Sequence, residues 1–124
     1  MIKKKILVVD EDLTLAKLLK TALENSGRYE VHCVNEGIKA VAAVRSFDPD
    51  LVVLDVEMPD INGREIGLSI ENDPKVGKTP VIFLTGTVAH GEIPLGMSLG
   101  NRPVLCKPIH MEEFIACIEK NIRK

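Results

Sequence analysis

The stretch Leu51-Val52-Val53-Leu54-Asp55 decides the fold class, because four apolar β-forming residues run directly into a carboxylate. A second stretch of the same kind lies upstream, where Ile6-Leu7-Val8-Val9 runs into Asp10 and Glu11. Continuous apolar strands are typical of a parallel sheet that is covered on both faces. Ligands bind such sheets outside the carboxyl ends of the strands. We therefore expect these acids to meet at one cleft.

Strand-like and helix-like stretches alternate along the rest of the chain. Strands are predicted at residues 6–9, 29–34, 51–54, 81–84 and 103–106, and helices at residues 13–25, 36–47, 63–72 and from 111 onward. The first helix should bury one side, formed by Leu15, Leu18, Leu19, Ala22 and Leu23. This order predicts an α/β fold, with a doubly wound five-stranded parallel sheet and helices on both faces. The 124 residues fit a single domain, 1–124.

The segment 87–100 follows the fourth predicted strand and is less regular. It contains Gly91, Pro94 and Gly96 at positions where a fourth helix is expected. An interior proline costs a helix about 3 kcal/mol and a glycine about 1 kcal/mol. We therefore expect an irregular fourth helix, which is short, shifted or partly unwound.

Composition excludes several classes of protein. A net charge of −2 gives no electrostatic reason for direct binding to nucleic acid or to a membrane surface. Aromatic residues make up 3% of the chain, too few for base-stacking platforms. No signal peptide or membrane span is recognisable, so a cytoplasmic protein is expected. Cys33, Cys106 and Cys117 lack metal-ligand spacing and are expected to be buried reduced thiols.

Polar residues at the strand ends indicate a specific chemistry. Asp10 and Glu11 follow the first strand, Asp55 the third, Thr85 the fourth and Lys107 the fifth. Clustered carboxylates need a cation beside them, and magnesium takes oxygen ligands with only one or two carboxylates from the protein. A lysine and a hydroxyl suit a phosphate-like anion. Together they indicate phosphoryl transfer, with Asp55 as the nucleophile.

With these residues in place, the chain resembles the receiver domains of two-component response regulators. Four blocks carry the resemblance: Val8-Val9-Asp10-Glu11, Asp55-Val56-Glu57-Met58-Pro59 with Gly63, Thr85-Gly86 and Lys107-Pro108. Each block closes a predicted strand, and together they cover the whole chain. The resemblance implies a CheY-like, flavodoxin-like fold with strand order 2-1-3-4-5.

The resemblance also implies roles for individual residues. Asp55 would accept a phosphoryl group from a histidine kinase or phosphotransfer protein and so switch contacts with a downstream effector protein or domain. Mg2+ would be held by Asp10, Glu11, Asp55 and the backbone carbonyl of Glu57. Lys107 would pair with the phosphoryl oxygens. Thr85 would hydrogen-bond the phosphoryl group and move its loop.

Other positions have more local expectations. The resemblance implies that Gly86 leaves room for the phosphodonor and that the Lys107–Pro108 bond is cis. Asp12 is expected to cap the first helix, and Gly63 to meet a backbone requirement of a turn or helix start. His32, His90 and His110 are isolated in the sequence and expected at surface or capping positions.

Three features depart from the family pattern. Val104 stands where an aromatic residue usually precedes the lysine, the segment 87–100 is broken by glycine and proline, and Arg102-Pro103 alters the same face. We hypothesise that the phosphoacceptor chemistry is intact while the output surface is atypical. Glu57 carries a second hypothesis, that its charge hinders or redirects the water that hydrolyses the acyl phosphate.

Several alternatives stay open at the level of sequence. A pseudo-receiver would act as a phosphorylation-independent interaction module, and an aspartyl phosphatase would need a cap that no inserted segment supplies. A phosphoacceptor would not be a metabolic enzyme, beyond phosphorylating itself from small donors and dephosphorylating itself. A monomer or weak homodimer is expected. The cognate kinase, the pathway and the output cannot be named.

Overall fold

The computed structural model describes residues 2–86, 98–99 and 102–124. Its strands are β1 (Lys4–Val9), β2 (Tyr29–Val34), β3 (Leu51–Asp55), β4 (Val81–Thr85), β5 (Ser98–Leu99) and β6 (Arg102–Cys106). Its helices are α1 (Leu13–Glu24), α2 (Ala40–Phe47), α3 (Gly63–Glu71) and α4 (Met111–Asn121), with a 3-10 turn at Gly37–Lys39 before α2. The predicted fourth helix, with Gly91, Pro94 and Gly96, and His90 lie outside the described residues.

The five long strands form one parallel sheet, in the order β2-β1-β3-β4-β6. This confirms the predicted order 2-1-3-4-5 and the doubly wound fold. The short strand β5 pairs antiparallel with β6 and was not predicted. Within the sheet Val9 lies opposite Leu54, and Asp55 lies opposite Leu84. The carboxyl ends of the central strands are therefore level with one another.

Apolar side chains alternate between the two faces of the sheet and form two cores. One core contains Leu7, Val52, Leu54 and Phe83 from the sheet, packed with residues of α2 and α3. The other contains Ile6, Val8, Val53 and Ile82, packed with residues of α1 and α4. Central strands buried on both faces explain why their sequences are continuously apolar.

Two expectations about burial are wrong. Leu18 is 59% exposed, whereas Ala16 is 1% exposed, so the buried face of α1 is centred on Ala16, Leu19 and Leu23. Cys33 is exposed near the end of the edge strand β2, although Tyr29 and Val31 on the same face of that strand are buried. Cys106 and Cys117 are half-buried, and all three cysteines are free thiols.

Helix ends agree with the local sequence. Asp12 caps α1 as expected, accepting a hydrogen bond from the Leu15 backbone N–H at 3.1 Å. The helix predicted from residue 36 begins instead as the 3-10 turn and becomes regular at Ala40. No helix in the described part of the chain is long and apolar enough to cross a membrane.

Candidate functional site

The carboxyl ends of four neighbouring strands bring the predicted polar residues together. Asp10 follows β1, Asp55 ends β3, Thr85 ends β4 and Lys107 follows β6. Asp10, Asp55 and Thr85 are 0%, 2% and 0% exposed. The backbone N–H of Lys107 donates to the Thr85 carbonyl at 2.8 Å, which continues the sheet to the rim. Convergence of these residues follows from parallel strands that end at the same level.

Lys107 links the two buried aspartates. Its Nζ lies 3.2 Å from Asp10 Oδ2 and 3.2 Å from Asp55 Oδ2. Burial alone would lower the pKa of Lys107, but the adjacent Asp55 and Asp10 carboxylates outweigh it and raise that pKa. The lysine therefore stays protonated and holds a positive charge between two acids.

The other oxygen of each aspartate is held by a backbone amide two residues further on. The Asp12 N–H donates to Asp10 Oδ1 at 2.9 Å, and the Glu57 N–H donates to Asp55 Oδ1 at 3.0 Å. Such Asx turns fix the rotamer of a carboxylate. Each aspartate thus directs its Oδ2 toward Lys107 and the centre of the cleft.

The environment of Asp10 favours a counter-cation. The pKa of Asp10 is raised, chiefly because the carboxyl group is buried and also because the charge of Asp55 is close. The hydrogen bond from the Asp12 N–H and the charge of Lys107 oppose this rise. Asp10 Oδ2 is fully buried, and the charged group beside it is Lys107 Nζ, 3.2 Å away. A carboxylate oxygen in this position is suited to a cation, which a lysine or a metal ion can supply.

The carboxylates of Asp10 and Asp55 are suitable ligands for magnesium. Both carboxylates lie 3.2 Å from Lys107 Nζ and so face the same cleft. Magnesium takes one or two carboxylates from a protein and keeps several waters. Glu11 is exposed and lies at the rim. Among residues 2–86, 98–99 and 102–124, no group of three or more His, Cys, Asp or Glu side chains is arranged to hold a metal. The fit therefore rests on the two aspartates.

Glu57 makes a contact that sequence reasoning missed. Its Oε1 accepts a hydrogen bond from the Gly86 backbone N–H at 2.6 Å and another from the Thr85 hydroxyl at 3.2 Å. Only the Glu57 backbone carbonyl and a general effect of its charge were predicted. The sequence places a carboxylate two residues after Asp55 and a threonine at the next strand end, but the fold of the loop decides whether the two meet.

The loop after Asp55 folds back on the end of β3. The Gly63 N–H donates to the Val56 carbonyl at 2.8 Å, and a Cβ on Gly63 would overlap the Asp55 carbonyl oxygen and lie 2.6 Å from Val56 Cα. Gly63 is therefore a backbone requirement, as expected. It begins α3 at a point where a hydrogen, but not a methyl group, fits against the peptide of Asp55.

Asp60 ties this loop to the connection after β2 and was not predicted. Its carboxylate accepts from the Gly37 N–H at 3.1 Å and from the Ile38 N–H at 2.9 Å. The Ile38 bond, followed by the other backbone bonds, lowers the pKa of Asp60 despite the opposing effect of burial. A Cβ on Gly37 would lie 2.5 Å from an Ile61 methyl carbon. The loop carrying Glu57 is thus anchored at its far end.

The remaining predicted positions are placed as follows. The Lys107–Pro108 bond is cis. His110 is exposed at the start of α4, and His32 is exposed and stacked on Phe47 with ring centroids 3.7 Å apart. Val104 is 9% exposed and packs in the same core as Phe83. Val104 is therefore an interior residue of the sheet.

Comparisons with known proteins identify the family of this chain. The sequence matches the family described as response regulator receiver domain over residues 6–119. It is 31% identical over 122 residues to the DNA-binding response regulator MtrA of Mycolicibacterium paratuberculosis, covering 98% of this chain and 52% of MtrA. The chain therefore spans about half the length of the curated relatives it matches.

Solved structures give the same result for the fold. The non-phosphorylated receiver domain of HemR from Leptospira biflexa is 31% identical with a TM-score of 0.76, and the alignment covers 95% of this chain and 93% of that one. The chemotaxis response regulator CheY4 of Vibrio cholerae is 24% identical with a TM-score of 0.82, covering 96% and 98%. The chain belongs to the response regulator receiver domain family of two-component systems.

Proposed function

We propose that this receiver domain is a magnesium-dependent phosphoacceptor and that Asp55 carries the phosphoryl group. The observation that supports this most directly is the pair of 3.2 Å contacts from Lys107 Nζ to Asp10 and Asp55. A cation already bridges the two acids at the point where an incoming phosphoryl group would need charge neutralisation. Positioning and charge are the main contributions of a protein to phosphoryl transfer.

The proposed step is an in-line transfer from a phosphorylated histidine of a kinase or phosphotransfer protein. A carboxylate oxygen of Asp55 forms a bond to phosphorus while the phosphorus–nitrogen bond breaks. The leaving imidazole keeps that electron pair and takes up a proton. Asp55 is suited to this attack because the Glu57 N–H fixes one oxygen and leaves the other facing the cleft.

Each neighbouring residue has a proposed part in the step. Lys107 would shift from the carboxylates to the phosphoryl oxygens, and Thr85 would donate its hydroxyl to the same group. Asp10, Glu11, Asp55 and the Glu57 carbonyl would hold magnesium, which, when bound, neutralises charge between the aspartate and the phosphoryl group. Receiver domains generally bind magnesium in an acidic pocket, which supports this assignment.

The proposed partners follow from the same chemistry. Upstream is a histidine kinase or phosphotransfer protein, and downstream is an effector protein or domain that distinguishes the two phosphorylation states. MtrA is described as a DNA-binding response regulator, but the present chain covers only 52% of its length. We propose no direct contact between residues 1–124 and nucleic acid.

Val104 favours a second candidate, a pseudo-receiver that binds partners without phosphorylation. A valine packed in the core offers no large ring to relocate when Thr85 moves. Such a domain would still fold in this way. It would differ in having no functional need for magnesium at the rim.

A magnesium titration followed by amide NMR separates the two candidates. We expect saturable shifts at Asp10, Asp55 and Glu57, and an affinity at least about tenfold weaker in Asp10→Asn, since even indirect partners of a metal site contribute 10–100-fold. Asp48→Asn is the matched control, because this exposed acid at the end of α2 precedes β3 and lies away from the carboxyl ends of the strands, and its affinity should equal that of the wild type. Absence of saturable binding in the wild type would favour the pseudo-receiver.

A further inference from the structure

At the end of β4, two hydrogen-bond donors form a small oxyanion site, which the Glu57 carboxylate occupies. The Thr85 hydroxyl and the Gly86 backbone N–H both donate to one oxygen, Glu57 Oε1, at 3.2 Å and 2.6 Å. Convergent donors on a single oxygen are the arrangement that stabilises oxyanions in enzymes. We call these two donors the Thr85–Gly86 notch.

The two sides of this contact differ in rigidity. Thr85 is fully buried at a strand end, whereas Glu57 is exposed on the loop after β3. The Thr85 donor is therefore fixed by the sheet and Gly86 follows it directly, whereas the carboxylate is supplied by a loop side chain that can turn to solvent. Glu57 also lines an open hollow of about 440 Å³, together with Arg64, which gives the side chain room on the solvent side.

Glu57 contacts Asp55 through its backbone and the Thr85–Gly86 notch through its side chain. Its backbone N–H donates to Asp55 Oδ1 at 3.0 Å, while its side chain lies on Thr85 and Gly86. The carboxylate therefore lies at the end of β4, the strand that pairs with β3 and its Asp55. A phosphoryl group on Asp55 would, under the proposed function, direct its own oxygens toward the Thr85 hydroxyl, and two anions beside the same donor repel each other in a partly buried site.

We propose that Glu57 is an internal oxyanion that occupies the Thr85–Gly86 notch and must leave when Asp55 gains a phosphoryl group. This rests on the proposed phosphoacceptor function. Displacement by the phosphoryl group frees Glu57 and breaks the bond between the loop after β3 and the end of β4. Glu57 thus sets how readily the modified state forms, and it links the loop after β3 to the end of β4 in the unmodified state.

A beryllofluoride titration with Mg2+, followed by amide NMR, tests the displacement. Beryllofluoride imitates the phosphoryl group, because a carboxylate oxygen of Asp55 replaces the water on its beryllium. The variants are Glu57→Ala, which removes the competitor, and Glu57→Gln, which keeps an acceptor oxygen but removes the charge. Both keep the backbone carbonyl proposed for the metal. Glu65→Ala, which removes an exposed acid from the first turn of α3, is the matched control.

We expect Glu57→Ala to bind beryllofluoride about tenfold more tightly than the wild type, the effect of one charge-assisted hydrogen bond. Glu57→Gln should lie between them, and Glu65→Ala should match the wild type. Before any addition, the Gly86 amide proton should move upfield in Glu57→Ala, because its short bond is lost.

Two results would overturn the proposal, and they are distinguishable. An unchanged affinity in Glu57→Ala, beside normal binding by the wild type, would overturn the displacement and leave the phosphoacceptor function standing. Absence of binding in the wild type and in every variant would overturn both, because the notch would then not be a phosphoryl site.

Discussion

At the scale of single residues, hydrogen bonds and ion pairs fix the orientation of the two buried aspartates. A backbone amide holds Oδ1 of each aspartate, and Lys107 takes the opposite oxygen of both. The single positive charge of Lys107 therefore offsets part of the negative charge of the two buried acids. A phosphoryl group or a magnesium ion would enter a cleft whose charges are already oriented, which reduces the reorganisation that the reaction requires.

Gly63 gives a residue-scale prediction about the backbone around Asp55. Gly63→Ala should destabilise the fold by about 2 kcal/mol or more, because the added Cβ overlaps the backbone of Asp55 and neither side is a flexible side-chain end. Urea unfolding measures this loss. Gly86→Ala is the matched control, since its Cβ would lie 3.5 Å from Glu57 Oε1, an ordinary contact. Equal stability of the two variants would contradict this account.

Much of the site could be predicted from residues at strand ends. Asp10, Asp55, Thr85 and Lys107 follow apolar runs, and parallel strands bring their carboxyl ends together without further information. The Glu57 side-chain contact could not be predicted in the same way. It depends on how the loop after β3 folds, which is set by Gly63 and by backbone bonds that no spacing in the sequence reveals.

At the scale of elements, loops are tied together by carboxylates that accept backbone N–H groups. Asp60 joins the loop after β3 to the 3-10 turn, and Asp73 holds the turn after α3 by accepting from Lys75 at 2.8 Å. Arg45 Nε on α2 donates to the same Asp73 carboxylate at 2.6 Å. Neighbouring elements on this face of the sheet are thus linked at their ends as well as through the core.

Asp73 gives a prediction about pH. The Lys75 N–H, and then Arg45, lower the pKa of Asp73 below its usual value of 3.8, so its stabilising effect is complete above that value and is lost as the pH falls through the lowered pKa. Asp73→Asn should therefore be less stable than the wild type by an equal amount at pH 7 and pH 5, and by less near pH 3. Urea midpoints at each pH measure this.

Asp48→Asn is a suitable control for Asp73→Asn, because that acid is exposed at the end of α2. Its stability should follow that of the wild type more closely across the same range of pH. A deficit in Asp73→Asn that grows toward acid pH would contradict the sign of the shift.

Helix faces were the least accurate expectation at this scale. The stripe predicted for α1 included Leu18, yet Ala16 is buried in its place. When apolar residues cover more than half of a helix surface, the sequence does not reveal which of them lies at the centre of the buried face. The helix is rotated toward the side that meets Ile6, Val8 and Val53 of the sheet.

At the scale of the whole molecule, a change at the rim would pass from β4 to its neighbour β6. Thr85 ends β4, and Val104 lies one strand away on β6, opposite Phe83. Val104 is packed in the core and carries no ring. We therefore expect a change at the rim to be passed on weakly through β6, whatever the chemistry at Asp55.

Amide NMR with and without beryllofluoride and Mg2+ measures this transmission. Shifts should be large at Asp55, Glu57, Thr85 and Lys107, and small at Val104 and along α4. Asp55→Asn should show none of these changes and serves as the control. Large shifts spreading over Val104 and α4 would contradict the hypothesis of an atypical output surface and indicate ordinary coupling.

The central claim, that Asp55 accepts a phosphoryl group, is tested most directly by intact-protein mass. The wild type and Asp55→Asn are incubated with acetyl phosphate and Mg2+, then measured before and after mild alkali. We predict a gain of one phosphoryl group in the wild type only, and its loss on alkaline treatment, as expected of an acyl phosphate. No gain in the wild type, or an equal gain in Asp55→Asn, would contradict the account.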